Sequence, residues 1–146
     1  MAQKSPISTL IELAEKATDE AAKHLGRMIR AHEETENKLN LLIQYRDDYA
    51  QRFQDGAAKG LSAAQYGNFM SFIGKLDGAI EGQRQVVADA EHKIQLAKNM
   101  WQGSEKKRLS YNTLHHRAQS VQLAKEAKQD QKQTDESAAR SYFYKR

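Results

Sequence analysis

Five histidines are the side chains best suited to acid–base or metal chemistry near neutral pH, and they are scattered along the chain without a matching set of nearby ligands. His32 and Glu36 stand one helical turn apart and would hold a metal ion only weakly, because a zinc site needs three or four converging ligands. His115 and His116 are adjacent, so a helix would direct them to different faces and they cannot share one ion. We interpret the histidines as solvated or packing residues and predict no metal and no cofactor.

The sequence also lacks the short motifs of the common enzyme classes. It has no phosphate-binding glycine loop followed by Lys-Ser or Lys-Thr, no nucleophile elbow and no HExxH helix. Without cysteine, it cannot form a disulfide or a thiolate metal site. No stretch approaches the roughly 20 apolar residues of a membrane span, and the first residues lack the apolar run of a secretory signal. We therefore expect a cytoplasmic protein that is not an enzyme.

Aromatic and aliphatic residues at helical spacing form a better candidate site, for binding rather than catalysis. Two stripes, here called the hairpin patch, consist of Lys38, Leu42, Tyr45 and Tyr49 on a first helix and Phe72, Leu76, Ala79 and Gln83 on a second. If the helices run antiparallel about a turn near residues 57–60, Tyr45 lies beside Phe72 and the stripes merge. An exposed apolar patch indicates a partner site. The alternative, that these residues only widen the helix contact, stays open.

Three glycines, Gly74, Gly78 and Gly82, recur every fourth residue inside the second predicted helix. They would form a bare strip on which the backbone of a partner could approach closely. Charged residues such as Lys75 and Asp77 interleave them, which excludes the apolar packing of a membrane helix pair. The alternative is that the helix tolerates each glycine at a cost of about 1 kcal/mol relative to alanine.

Long helices must position these residues, because the only proline is Pro6 and apolar residues recur every three to four positions after it. Ser5 is a candidate N-cap for the first helix and Ser62 for the second. The pattern predicts an all-α fold, an antiparallel two-helix coiled-coil hairpin whose second helix is longer than the first. We expect one domain, 1–146, with helix one at about 6–54, a turn at 55–61, helix two at about 62–136 and a flexible C-terminal tail.

The packing face of each helix, here called the seam, alternates steps of three and four residues. On helix one the predicted seam is Ile11, Ala14, Thr18, Ala21, Leu25, Met28, His32, Thr35, Leu39, Leu42, Arg46, Tyr49 and Phe53. On helix two it is Phe69, Ile73, Leu76, Ile80, Gln83, Val87, Ala90, Ile94, Ala97 and Trp101. Beyond Trp101 the apolar residues predict a shifted phase, as at a stutter, through Leu109, Tyr111, Leu114, Ala118 and Val121.

Charge is distributed unevenly along the chain. Residues 1–97 hold 12 basic and 14 acidic side chains, whereas residues 98–146 hold 11 basic and 5 acidic ones. A basic segment can meet nucleic acid, anionic lipid or an acidic protein surface. As an alternative function, a nucleic-acid-binding or adaptor coiled coil would use this segment, with Tyr111, Tyr142, Phe143 and Tyr144 as stacking residues. A membrane-surface helix would need a broader face of large apolar residues than this segment has.

Four blocks of sequence resemble one known family. They are Met1-Ala2-Gln3, Leu13-Ala14-Glu15-Lys16, the run from Leu39 to Tyr49 and the run from Phe72 to Glu81. Together they are similar to the FliJ family of bacterial flagellar type III export proteins, over nearly the whole chain. The blocks on either side of the predicted turn are the more specific part of the resemblance, because single heptads occur in any coiled coil.

The resemblance implies a non-enzymatic protein that binds the hexameric flagellar export ATPase, with the terminal parts of the coiled coil in the ring centre. It further implies binding to the cytoplasmic domain of the export gate and to export chaperones, and a place at the inner membrane through these partners. No nucleic acid is expected among them. Because acidic loops in a ring would attract a basic helix, the candidate ring contacts are Arg108, Arg117, Lys125 and Lys128.

The surface cluster of the family maps onto six residues of the hairpin patch, namely Leu42, Tyr45, Tyr49, Phe72, Leu76 and Ala79. The remaining two positions depart from the family pattern. Lys38 stands where the family has glutamine, and Gln83 stands where it has histidine. The resemblance therefore predicts that six residues of the patch contact the gate. At the end of the patch formed by Lys38 and Gln83, the side chains differ from those of the family.

Overall fold

The computed structural model describes residues 5–144 and contains two helices over that range, without a β-strand. Helix α1 spans Pro6–Ala57 and helix α2 spans Ala63–Tyr144. The predicted fold class, an all-α hairpin with a longer second helix, is confirmed. The turn lies slightly later than expected, and α2 continues past residue 136 to Tyr144.

Local hydrogen bonds explain where the helices begin and where the chain turns. The Ser5 hydroxyl accepts the Ser8 amide (3.2 Å), which confirms the predicted N-cap of α1. Ser62 and Gln65 form a reciprocal capping box at the start of α2, with distances of 3.2 and 3.0 Å. Between the helices Gly60 has a φ of 90°, a left-handed conformation that favours glycine. These contacts make the reversal a property of the local sequence.

Contacts between residues divide the chain into two units, of which one is Asp19–Gln102. In this unit the helices run antiparallel, because ring contacts pair ascending residues of α1 with descending residues of α2. The pairs are Tyr45 with Phe72, Tyr49 with Phe69 and Phe72, and Phe53 with Tyr66 and Phe69, with ring centroids 3.6 to 6.3 Å apart. The buried residues of this unit are Ile73, Leu76, Ile80 and Ala97. This unit carries the hairpin patch.

The predicted seam is confirmed as far as Trp101. Every residue assigned to it, from Ile11 to Phe53 on α1 and from Phe69 to Trp101 on α2, is buried or half-buried. Polar seam residues such as His32, Thr35 and Gln83 are half-buried among them. Because each heptad removes only two positions from water, the chain needs no more apolar residues than its composition supplies.

The other unit contains the N-terminal residues through Thr18 and the residues from Gly103 onward. Ala14 and Thr18 are buried here, and the Thr18 hydroxyl donates to the Ala14 carbonyl (2.9 Å). The predicted phase shift after Trp101 is wrong. In the part of α2 that belongs to this unit, the half-buried side chains keep the three- and four-residue spacing of the earlier seam. They are Ser104, Glu105, Arg108, Tyr111, Asn112 and His115. Leu109, Leu114, Ala118 and Val121 are exposed instead, because an uninterrupted helix keeps its phase.

Candidate partner-binding surface

The hairpin patch is assembled mainly by aromatic contacts across the two helices. Phe72 of α2 meets Tyr45 edge-on, with ring centroids 6.3 Å apart, and Tyr49 at a tilt, with centroids 4.6 Å apart. Edge-to-face and tilted pairs are favoured because the positive ring edge meets the negative ring face. The predicted neighbourhood of Tyr45 and Phe72 is therefore confirmed, and it holds the two stripes on one surface.

The eight predicted residues of the patch differ in their exposure. Lys38, Tyr45 and Ala79 are exposed, whereas Leu42, Tyr49, Phe72 and Gln83 are half-buried. Leu76 is only 8% exposed and belongs to the core of the seam. The sequence places Leu76 in both the patch and the seam, and in the structure its position faces the partner helix. It supports the surface from below, while Tyr45, which is 53% exposed, forms the accessible part.

A groove of about 490 Å³ opens beside Tyr45 and is lined by Lys38, Leu41, Leu42, Tyr45 and Gln83. We call it the Leu41 groove. Leu41 is 65% exposed, and sequence reasoning assigned it no role. The available signal was the run Leu41-Leu42-Ile43, since a seam on one side of a helix cannot bury three consecutive apolar residues. The accessible apolar surface is therefore centred on Leu41 and Tyr45.

Polar contacts fix the helices around this groove. Arg46 of α1 donates to Asp77 of α2 at 2.5 Å, and this hydrogen bond raises the pKa of the Arg46 guanidinium, which is charged at neutral pH with or without the contact. The Gln83 amide donates to the main-chain carbonyl of Thr35 at 3.0 Å. Gln83 thus lines the groove and also holds it to α1. The Gln83 side chain therefore both links the two helices and forms part of the groove wall.

The basic candidate residues on the last part of α2 are not equivalent. Arg108 is half-buried and donates to both carboxylate oxygens of Glu105, at 3.2 and 2.5 Å. These hydrogen bonds lower the pKa of the Glu105 carboxyl, because they favour its charged form. Arg117, Lys125 and Lys128 are exposed. The four candidate residues therefore differ, because Arg108 already binds Glu105 of its own helix whereas the other three side chains are exposed.

Comparison with known proteins agrees with the sequence blocks. The model of the family described as "Flagellar FliJ protein" matches residues 3–146. The chain belongs to the FliJ family. A "Flagellar FliJ protein" of Salmonella typhi is 33% identical over 145 residues, which cover 99% of each chain. One of Escherichia coli strain K12 is 32% identical over 145 residues, with the same coverage.

Membership of the FliJ family implies a component of the flagellar export apparatus. No helix within residues 5–144 combines the length and apolarity needed to cross a bilayer. His32 Nε2 lies 3.4 Å from a Glu36 carboxylate oxygen, and across the described residues no three His, Asp or Glu side chains are grouped as metal ligands.

The glycine strip of this FliJ chain faces solvent. Gly74, Gly78 and Gly82 are exposed, and a methyl group added at any of them would meet no atom within 4 Å. No element of the described chain approaches them closely enough to require glycine. The fold therefore does not explain the three residues, and their two interpretations predict opposite results for substitution by alanine.

Proposed function

We propose that this protein is a non-enzymatic coupling component of the flagellar export apparatus. It binds the export ATPase ring as a central stalk, links that ring to the cytoplasmic domain of the export gate and escorts export chaperones. It works in the cytoplasm and reaches the inner membrane through these partners. Family membership supports the apparatus, and two separate surfaces on the helices support two different contacts.

The single observation that carries the proposal is the exposed apolar surface around Leu41 and Tyr45 in a chain with a charged exterior. These side chains are 65% and 53% exposed, so water contacts a large apolar area that the fold itself does not bury. Aromatic and aliphatic anchors of this kind supply most of the binding energy at protein interfaces. We assign this surface, with Lys38, Leu42 and Ala79 at its border, to the export gate.

The basic residues near the end of α2 form the proposed contact with the ATPase ring. Arg117, Lys125 and Lys128 are exposed and available to an acidic surface. Charged contacts at the rim of an interface mainly accelerate association and fix orientation. We omit Arg108 from this contact because its guanidinium is bound to Glu105.

The gate contact is tested by measuring the affinity of the purified full chain for the gate cytoplasmic domain. Leu41→Ala and Tyr45→Ala should each weaken binding about tenfold or more, as expected for central anchors. Leu109→Ala is the matched control, because Leu109 is also exposed on a helix, at 52%, and lies in the other unit. Equal affinity of all three variants and the unsubstituted chain would exclude this surface.

The ring contact is tested by adding the chain to the export ATPase and following ATP turnover. The unsubstituted chain should raise turnover, and the triple change of Arg117, Lys125 and Lys128 to Glu should abolish the increase. A control triple at Arg30, Lys59 and Lys75, which are exposed in the Asp19–Gln102 unit, has the same change in charge. If the two triples act alike, net charge and not this part of α2 determines the effect.

A further inference from the structure

A second groove lies on the same side of the Asp19–Gln102 unit as the Leu41 groove. It measures about 260 Å³ and is lined by Met28, Ala31, Thr35, Val86, Asp89, Ala90 and Lys93. We call it the Val86 groove and the two together the furrow. The hydrogen bond from Gln83 to the Thr35 carbonyl joins them, because Gln83 lines the first groove and Thr35 lines the second. The surface thus extends beyond the hairpin patch.

The furrow is wider than a two-helix coiled coil requires. Two stranded coils bury two apolar positions in each heptad, whereas helices that pack in larger bundles use a third beside them. Here the third position is apolar on α2 at seven-residue spacing, in Phe72, Ala79 and Val86. Val86 is 45% exposed, so this third row is only partly covered. The furrow therefore has the apolar width that suits one more helix.

The opposite side of α2 has a different character. At the same seven-residue spacing it carries the charged residues Asp77, Arg84 and Glu91, and Asp77 binds Arg46 across the seam. A third helix on that side would have to desolvate these charges. The difference between the two sides directs a further helix to the furrow.

The charges along the furrow indicate which helix fits. Lys38 in the Leu41 groove and Lys93 in the Val86 groove are exposed, and Asp89 is the acidic lining residue between them. The Asp89 carboxylate also accepts a hydrogen bond from Gln85 at 3.1 Å. The two linings thus hold two lysines and one aspartate, and glutamate or aspartate on a partner helix would pair with both lysines.

We propose that the furrow binds an acidic amphipathic helix of a partner protein as a third strand. The apolar face of that helix covers Leu41, Tyr45 and Val86, and its flanking carboxylates face Lys38 and Lys93. From Met28 to Tyr45 the furrow follows about five turns of α1, which at about 1.5 Å per residue is about 25 Å. The furrow shares Leu41 and Tyr45 with the surface that we assign to the gate, and the peptide test below measures helix binding without the gate domain, so either proposal can fail without the other.

The test uses a labelled 25-residue synthetic peptide with Leu and Ile at the a and d positions and Glu at e and g, and a second peptide with Lys replacing every Glu. Binding to the full chain is followed by fluorescence anisotropy. The Glu peptide should bind at least about tenfold more tightly than the Lys peptide, because only its charges complement Lys38 and Lys93. Equal affinities, or no binding of the Glu peptide, would overturn the proposal.

Val86→Glu should reduce the affinity for the Glu peptide by about tenfold or more, because it places an anion in the apolar row. Ile29→Glu is the matched control, since Ile29 is similarly exposed, at 48%, and lines neither groove. Circular dichroism verifies that both variants keep their helicity, and Lys93→Glu gives an independent loss of binding. Equal losses for Val86→Glu and Ile29→Glu, or a dimer of the free chain that Val86→Glu dissociates, would contradict a furrow reserved for a partner helix.

Discussion

Arg46 on α1 donates from Nε to the Oδ1 atom of Asp77 on α2 at 2.5 Å and thereby ties the two helices together beside the seam. The sequence pattern placed Arg46 in the seam, where an unpaired guanidinium would be unfavourable. The observed geometry resolves this, because the side chain is half-buried while its charged group reaches a carboxylate on the neighbouring helix. A seam position can thus be basic when the partner helix supplies an acid at its edge.

We expect Asp77→Asn to lower the melting temperature slightly at low salt and to have a smaller effect at high salt, because exposed ion pairs are screened. Thermal unfolding followed by circular dichroism at two ionic strengths measures this. Asp48→Asn, an exposed acid outside this pair, is the control. A salt-independent loss would mean that Asp77 acts through packing.

Leu76 and Leu41 should separate stability from binding. Leu76→Ala removes a side chain that is 8% exposed, and we expect a loss of about 2 kcal/mol or more in the free energy of unfolding. Leu41→Ala changes a side chain that is 65% exposed, and its effect on stability should stay within about 0.5 kcal/mol. Urea unfolding of both variants provides the comparison. Similar losses would show that Leu41 is buried in solution.

Substitutions in the glycine strip should increase the stability of the protein. Replacing Gly74, Gly78 and Gly82 together by alanine should stabilise the protein by roughly 2–3 kcal/mol, because alanine favours the helix and the added methyl groups meet no atom within 4 Å. Gly60→Ala is the opposite control, since its φ of 90° would force alanine into a left-handed conformation costing about 1 kcal/mol.

The same triple alanine variant distinguishes the two interpretations of the strip. If a partner backbone approaches it, the variant is more stable but binds the gate domain or the ATPase less tightly. If the helix only tolerates the glycines, stability rises and both affinities stay the same. Affinity measurements on the variant with each partner decide between these outcomes.

The Glu105–Arg108 pair should make stability depend on pH. Since the pair lowers the pKa of Glu105 in the folded chain, its stabilisation is present above the ordinary pKa of 4.5 and is lost as pH falls through the lower folded value. We expect Glu105→Gln to melt at a lower temperature than the unsubstituted chain at pH 7 and at nearly the same temperature near pH 3. A difference that is constant from pH 7 to pH 3 would show that Arg108 does not depend on the charge of Glu105.

Much of the fold was predictable because its determinants are local or periodic. Ser5, Ser62 and Gly60 act within a few residues of themselves, through caps and a left-handed turn. The seam follows from the 3.5-residue repeat, and the pairing of Tyr45 with Phe72 follows once the position of the turn is known. None of these features requires knowledge of distant contacts.

The wrong predictions concern positions where the side chain is apolar but exposed, or polar but half-buried. After Trp101 the apolar residues Leu109 and Leu114 predicted a new phase, yet the helix continues its old phase and half-buries Arg108 and His115. Helical geometry determines which side chains face inward, and composition does not shift it without a break in the helix. Arg108, chosen as a ring contact for its charge, also forms an ion pair with Glu105 three residues earlier on the same helix.

By itself, the sequence determined the two helices, their caps, the turn between them and the residues that face the seam. Backbone propensity and heptad spacing depend only on residues that are near one another in the sequence. Only the tertiary structure decided that Leu41 is 65% exposed, that Asp77 binds Arg46, and that one side of the Asp19–Gln102 unit carries both grooves. Those properties depend on how far α2 covers the side chains at the edges of α1. That coverage is set by the packing of the two helices and cannot be read from either helix alone.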